Sequence, residues 1–346
     1  MPDSGPEHLS GEQLPEIPQF DCGTLGAGHL AELALTRTRR MVELGRNIYT
    51  GPGLTFADWR SRAWLARNET PFAAEIDQIA KRLGHDAAHA LNVSYEWACT
   101  TAAVGPVMLR VLDWRFDGMG REIVVAKHRS TAGEWLNVTW PGFVGALTAL
   151  APGRFAAALN QAPLRRRTGL LPVDWLIDRV KVNRSRALPA THLLRLAFET
   201  CRNFNQAVAL LRDTPIALPA MFAVSGPDGQ AAIIERQERS AVVLTGNEVM
   251  ANHWLNPEWK GHGRSRGVVS EERWTALRRI ADQSAGHLGQ DFSWLRPPVL
   301  NKYTRLAAMM NAATGTLQVV GLERFGSIAL PATQTLSTRL EPPKKR

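Results

Sequence analysis

The chain has 346 residues, 45 % of them hydrophobic, enough to bury a sizeable core as one large layered domain or two ordinary ones. Its formal net charge of +9 raises nucleic acid and anionic surfaces as partners, but the densest basic clusters, "LRRRTG" at 164–169 and the terminal "PPKKR", are not interleaved with aromatics. A solvated basic face is therefore expected, with no nucleic-acid partner. The three cysteines, Cys22, Cys99 and Cys201, make no disulfide framework and suit a reducing compartment, and no apolar run of 18 or more residues is available to cross a membrane.

In chain order, residues 1–25 are acidic, proline-bearing and lack the apolar stretch of a secretory signal. They read as a flexible leader, and a cytoplasmic location is expected. Leu30, Leu33, Met41 and Leu44 recur at helical spacing over 27–46, and Ile76, Ile79 and Leu83 over 72–91. With the basic balance, these two helices would suit contact with a membrane surface. His85 and His89 stand four apart on the second of them, a spacing that can hold a metal, but no third ligand follows and no metal is expected.

From Cys99 the texture changes to small and β-branched residues. "ACTTAAV" and "VMLRVLDW" read as strands joined by a Gly105-Pro106 turn, and strand-and-turn patterning continues to about residue 163. A helix is expected over 191–213, then strands in "AMFAVSG", "QAAIIERQ" and "SAVVLTG". The helix over 270–284 opens on Ser270, with Arg273 where a capping box would place Glu. A final strand pair lies in "TRLAAMMNAATGTLQVVGL", followed by a polar tail at 333–346. This order of helices and strands implies α+β layers.

The hairpin fixes a geometry around the cysteine. A two-residue turn sets residue 104 opposite 107, Thr101 opposite Arg110 and Cys99 opposite Leu112. Cys99 and Arg110 then share a face, where a guanidinium favours thiolate, while Asp113 falls on the other face. No phosphate-binding loop, dinucleotide fingerprint or serine nucleophile elbow is present, and no cofactor is expected.

"CTTAAVG…MLRVLDW" resembles the start of the mature β-subunit in the acid ceramidase and N-acylethanolamine acid amidase family, which belongs with the choloylglycine hydrolases among N-terminal nucleophile amidohydrolases. In order along the chain, "PGFVGALTALAPGRFAAALN", "ETCRNFNQAVALLRDTPI", "VMANHWLNP" and "PVLNKYTRLAAMMNAATG" are similar to further family segments. The resemblance runs from about residue 90 to 321 and implies a four-layer αββα sandwich.

It also implies a chain that cuts itself between Ala98 and Cys99, into a helical α-region (26–98) and a catalytic β-region (99–332) that stay associated. Cys99 would be the nucleophile, its new α-amine (reference pKa about 7.7–8.0) serving as base. Arg110 and Asp113 would flank it, Asn252 would supply an oxyanion donor, and Arg273 would hold the polar network. The implied reaction is hydrolysis of a linear amide in a small N-acylated amine with a lipid-like acyl chain. Alternatives are acyl transfer on the same fold and a binding scaffold that never matures. The chain departs from the family pattern in its shorter hairpin, in Asn160-Gln161-Ala162 where acid ceramidase has Asn-Glu-Arg, and in His253 after the oxyanion Asn.

Overall fold

The computed structural model describes residues 13–48, 51–68, 70–84, 87–93, 97–168, 170–260, 263–264, 269–283 and 288–343. Two sheets stack face to face. The first runs β1 (Gln19–Gly23), β4 (Val124–Ser130), β5 (Gly133–Thr139), β6 (Thr148–Ala151), β7 (Phe155–Gln161), β9 (Ala220–Ser225), β10 (Ala231–Arg236), β11 (Ala241–Thr245). The second runs β12 (Glu248–Met250), β2 (Ala98–Val104), β3 (Val107–Asp113), β14 (Thr304–Asn311), β15 (Thr316–Phe325), β16 (Ile328–Pro331), with β17 (Leu336–Arg339) also on β15. A short ribbon pairs β8 (Leu164–Arg165) with β13 (Gly263–Arg264).

Small side chains let the sheets approach. Ala156, Ala158 and Ala223 on the first sheet share a buried core with Ala103, Met108 and Leu112 on the second. Each sheet's outer face carries helices. Phe155 packs on Phe198 of α7 (Ala190–Thr200), ring centroids 4.7 Å apart, with α8 (Phe204–Asp213) beside it. Ala102, Val104, Leu109 and Val111 of the second sheet pack on Leu277 and Ala281 of α9 (Ser270–Gln283). The layers are thus helix, sheet, sheet, helix, as expected.

An N-terminal helical layer, α1 (Gly26–Leu33), α2 (Leu35–Ile48), α3 (Gly51–Arg67), α4 (Ala73–Leu83) and α5 (Ala88–Asn92), sits against α7, with α6 (Leu171–Arg184) nearby. Arg195 of α7 anchors it, donating to Glu75 of α4 at 2.6 Å, while Glu75 also accepts from the backbone of Ala27 at 2.7 Å.

Several expectations change. The helix expected over 27–46 breaks at Ala34, because Leu30 packs toward Cys22, Val124 and Ala126 whereas Val42 packs toward Leu54 and Ala90. The helix over 72–91 stops at Gly84, whose left-handed φ of 78° suits glycine, and restarts as α5 with Asp58 accepting from the backbone of His89 and Ala90. The helix over 191–213 is interrupted where Asn203 caps α8 by accepting from Gln206 N. α3 and α6 were not legible, since their apolar residues form no clean stripe and several stay exposed. Ile76 and Ile79 face the core, so the apolar face expected to meet a membrane is used internally.

The leader and tail are corrected in part, since residues 1–12 and 344–346 lie outside the described residues. β1 lies parallel to β4 and Cys22 is buried, so residues 19–23 belong to a sheet edge, and β17 pairs with β15 inside the expected tail. Polar composition carries no information on whether an open sheet edge offers the backbone a partner.

Candidate active site

The site begins with the register of the β2–β3 hairpin. Val104 pairs with Val107, Thr101 with Arg110 and Cys99 with Leu112, as the Gly105-Pro106 turn predicts. Cys99 is the second residue of β2, and each of its polar atoms is held by a different part of the chain. Its backbone N–H donates to Asn252 Oδ1 at 2.8 Å, its Sγ accepts from Arg110 Nη2 at 3.0 Å, and its carbonyl accepts from Arg273 Nη1 at 2.9 Å.

Arg110 is fully buried between the sheets. Nη1 donates to Thr101 Oγ1 at 2.9 Å and to Asn160 Oδ1, and Nη2 donates to Leu159 O at 2.7 Å. No carboxylate stands among these partners, so the cysteine sulfur is the group in contact with this guanidinium that can take up negative charge. Asn160 is in turn oriented by donating to Ala251 O at 2.9 Å, which ties β7 to the chain just before Asn252.

Arg273 projects from the first turn of α9, in the position where a capping glutamate would sit. It reaches inward, donating to Thr100 Oγ1 at 2.6 Å and Asn252 Oδ1 at 2.9 Å, with Asp113 Oδ2 at 3.5 Å. Ser270 accepts from Asn252 N at 2.9 Å, so the start of α9 positions both residues. Asn252 Nδ2 donates to Gln161 O at 2.8 Å. Asn252 therefore accepts from the nitrogen of Cys99 and from Arg273, and its own donor is engaged by a backbone carbonyl.

Asp113 lies on the opposite face from the thiol, as the pleat requires. It is cross-strand to Ala98 and accepts from Thr304 Oγ1 at 2.9 Å and Asn301 Nδ2 at 2.8 Å. It does not touch Cys99 through a side-chain contact, but it stands opposite the residue whose peptide bond would be cut. Thr304, Asn301, Ser270 and Asn160 are the residues that sequence reasoning left without roles; the first two lie in the "PVLNKYT" segment that carried the resemblance.

Burial dominates the electrostatics. It pushes the Cys99 thiol up to about 11, against the pull of Arg110, with Asp113 pushing the same way as burial. Asp113 is itself raised by burial, against Arg273, Asn301 and Thr304. Burial lowers His253, leaving a neutral imidazole beside Ser270. Cys22 and Cys201 are buried free thiols, both raised by burial first. Of the histidine pair weighed for a metal, His85 lies outside the described residues; His89 is held by Asp58 at 3.1 Å and Asp77 at 2.9 Å.

A cavity of about 490 Å³ opens between α3, α6 and the start of α7. Trp64, Ala162, Ala190 and Ala217 line it, Gln161 forms part of its wall, and Phe56 and Leu176 stand exposed at its edge. Asn92 and Val93 also line it, and from there the chain runs on to Cys99. The cavity thus adjoins the end of the strand that Gln161 closes, while Cys99, Arg110, Asp113, Asn252 and Arg273 are not among its lining residues.

The fold is a four-layer αββα sandwich with a cysteine near the head of an inner strand. In sequence the chain resembles acid ceramidases, as the ordered motifs implied: it is 21 % identical to the acid ceramidase of Heterocephalus glaber over 178 residues, 50 % of this chain and 44 % of that protein. To the acid ceramidase of Homo sapiens it is 22 % identical over 185 residues, 52 % of this chain and 46 % of that one. The chain spans less than half the length of these curated relatives. The family model described as acyl-coenzyme A:6-aminopenicillanic acid acyl-transferase matches residues 178–329. Among solved structures, a Caenorhabditis elegans N-acylethanolamine-hydrolyzing acid amidase ortholog aligns with a TM-score of 0.48 and 17 % identity, over 62 % of this chain and 92 % of that one. No helix among the described residues is long and apolar enough to cross a membrane.

Proposed function

We propose that the chain is a self-processing cysteine amidohydrolase that cleaves a linear amide of an N-acylated amine. The observation that carries this reading is the three-way hold on Cys99: nitrogen on Asn252, sulfur on Arg110, carbonyl on Arg273. Any buried backbone N–H and carbonyl need partners, but here the side chains of Asn252 and Arg273 fill them, and a cysteine that only packs needs no guanidinium on its sulfur.

In the cutting step, the Cys99 sulfur attacks the Ala98 carbonyl and the Ala98–Cys99 C–N bond breaks, leaving a thioester that water hydrolyses. The products are a carboxylate on Ala98 and a free α-amine on Cys99. That amine then takes the thiol proton, the thiolate attacks the substrate carbonyl, and the proton passes to the departing amine. Water releases the acyl group from sulfur as a carboxylic acid. Arg110 favours the thiolate, and Asn252 Nδ2, on releasing Gln161 O, would donate to the oxyanion, a contribution of about 3–4 kcal/mol. Loss of the peptide link would free the end of β2 to bring Asp113 toward the new amine.

The apolar cavity suits a lipid-like acyl chain. Its edge carries exposed Phe56 on α3 and Leu176 on α6 with Arg60 and Arg179, and exposed Trp59 lies beside Phe56, ring centroids 6.1 Å apart, which supports contact with an anionic lipid surface. Liposome flotation tests that contact, and a protein that stays at the bottom of the gradient rules it out. The ion pair of Arg195 with Glu75 supports continued association of the fragments after cutting.

Intact-mass spectra over a range of pH test the central reading. Fragments ending at Ala98 and beginning at Cys99, absent from Cys99→Ala, are expected. A chain uncut at every pH and unlabelled by a thiol-directed acyl analogue overturns the amidase and leaves a binding scaffold. The acyl-transferase family match supports a second reading, transfer of the acyl group to another amine. Product analysis with and without an acceptor amine separates the two.

A further inference from the structure

Asn252 is held from two sides. Its side chain meets the backbone nitrogen of Cys99 and Arg273, while its own backbone N–H donates to Ser270 Oγ at 2.9 Å. The same hydroxyl stands 2.9 Å from Nδ1 of His253, and the Ser270 side chain makes no other hydrogen bond among the described residues. Ser270 is buried, and Val269 before it has a left-handed φ of 46°, which a β-branched residue rarely adopts. Backbone strain is thus held just where the chain turns to place this hydroxyl at the start of α9.

A proton count assigns the state of the ring. A serine hydroxyl has one proton to donate and two lone pairs. One lone pair takes Asn252 N–H, so the proton goes to His253 Nδ1, the bare acceptor of a neutral imidazole protonated at Nε2. A second proton on the ring turns Nδ1 into a donor. Ser270 Oγ then faces two N–H groups, and its own proton has no acceptor among the described residues. The imidazolium and Asn252 N–H compete for one oxygen.

The surroundings do not offset this competition. Burial opposes the imidazolium most, Glu271 of α9 favours it, and Lys260 on the ring's own loop and Arg273 of α9 oppose it. Trp274 of α9 meets the ring edge-on, centroids 6.1 Å apart, and brings no charge. The ring is only half-buried, so protons from solvent reach it.

We propose that His253 is a positioning residue that makes this site sensitive to acid. As the neutral imidazole it fixes the hydroxyl of Ser270 and through it Asn252; as the imidazolium it loosens both. This inference rests on the reading of Asn252 as oxyanion donor in an amidase, and it makes the site competent above the midpoint of His253 and impaired below it.

Nuclear magnetic resonance of full-length Cys99→Ala reads the coupling without catalysis. The His253 ring signal is assigned by its loss in His253→Asn, and the backbone amide of Asn252, in chain carrying isotope-labelled asparagine, by its loss in Asn252→Gln. The Asn252 amide should shift with the same midpoint as the ring, and in His253→Asn that step should vanish. Ser270→Ala should raise the ring's midpoint by about half a unit to one unit, because the neutral form loses its donor. With the thiol intact, amine release from N-dodecanoyl aminomethylcoumarin is followed over the same pH range. The rate ratio of wild type to His253→Asn should fall about three- to tenfold on passing below the midpoint. The α-amine of Cys99 titrates in both proteins and does not change that ratio. Circular dichroism confirms the fold of each protein at each pH.

An Asn252 amide indifferent to the ring, a midpoint unmoved by Ser270→Ala, or a ring that stays neutral until the fold melts in acid overturns the proposal. Cys99-dependent amine release with a constant ratio at every pH overturns the role of His253 and leaves the amidase standing. Coupled titration without amine release at any pH keeps the hold of His253 on Asn252 and removes the amidase.

Discussion

Replacing Arg110 by methionine is expected to keep the volume between the sheets filled while removing the charge beside Cys99. The thiol already sits at about 11 because burial outweighs Arg110. A hydrogen bond from a charged donor contributes roughly 1.5–3 kcal/mol, and each 1.36 kcal/mol is about one pKa unit. Losing the 3.0 Å contact from Nη2 should therefore raise the thiol by roughly one to two units. The thiolate fraction at pH 8 then falls about ten- to a hundredfold.

The assay is alkylation of the uncut chain in a Cys22→Ala/Cys201→Ala background between pH 7 and 9.5, with iodoacetamide and a methyl thiosulfonate in parallel. A lower thiolate fraction slows both reagents in the same ratio, whereas altered access changes their ratio. Arg110→Lys should fall between, since a point charge keeps the attraction and loses the forked hydrogen bonds. Equal or faster labelling by both reagents in a folded Arg110→Met protein would refute the argument. The same variant should also lose stability, because Leu159 O and Asn160 Oδ1 lose their buried donor.

Other consequences concern the surroundings of the site. Asp113→Asn or Arg273→Leu alone should cost about 3–5 kcal/mol by stranding a buried charge, and the double variant less than their sum; additive losses in urea unfolding would contradict the coupling. Burial pulls His89 down, but Asp58 and Asp77 together hold it above its ordinary value, so its pairing stabilises the fold fully below about pH 6.5 and less as pH rises through the raised value. Burial would raise Asp58, yet His89 and the backbone donors of α5 hold it below the usual range, so that contribution is present above about pH 4 and lost as pH falls through the depressed value. The melting-temperature gap between wild type and His89→Gln should accordingly be wider at pH 6 than at pH 9, and an equal gap would count against the pairing. Glu75→Ala should lower stability by about 1.5–3 kcal/mol, since Arg195 loses its charged hydrogen bonds across the helical layer and keeps only Glu199 of its own helix; an unchanged urea midpoint would show that the anchor is idle.

The part of the site that was legible in advance is local. A two-residue turn and the alternation of a pleated strand put Arg110 on the face of Cys99 and Asp113 on the other, and the register follows them residue for residue. The strands of the second half were legible for the same reason, since short alternating or small-residue runs between turns leave few other conformations. Helix limits were less so. Ala34, Gly84 and Asn203 end or start helices where burial partners change direction, and spacing along the chain does not record those partners.

The sequence by itself determined the layer content, the hairpin around Cys99 and, through ordered motifs, the resemblance to acid ceramidases. Only the tertiary structure decided that Asn252 takes the nitrogen of Cys99 and that Arg273 reaches inward from the first turn of its helix to hold the carbonyl. The hairpin depends on backbone geometry within a few residues, which sequence specifies directly. The contacts to Asn252 and Arg273 span 153 and 174 residues, and they form only because two sheets and a helix close over one buried cysteine.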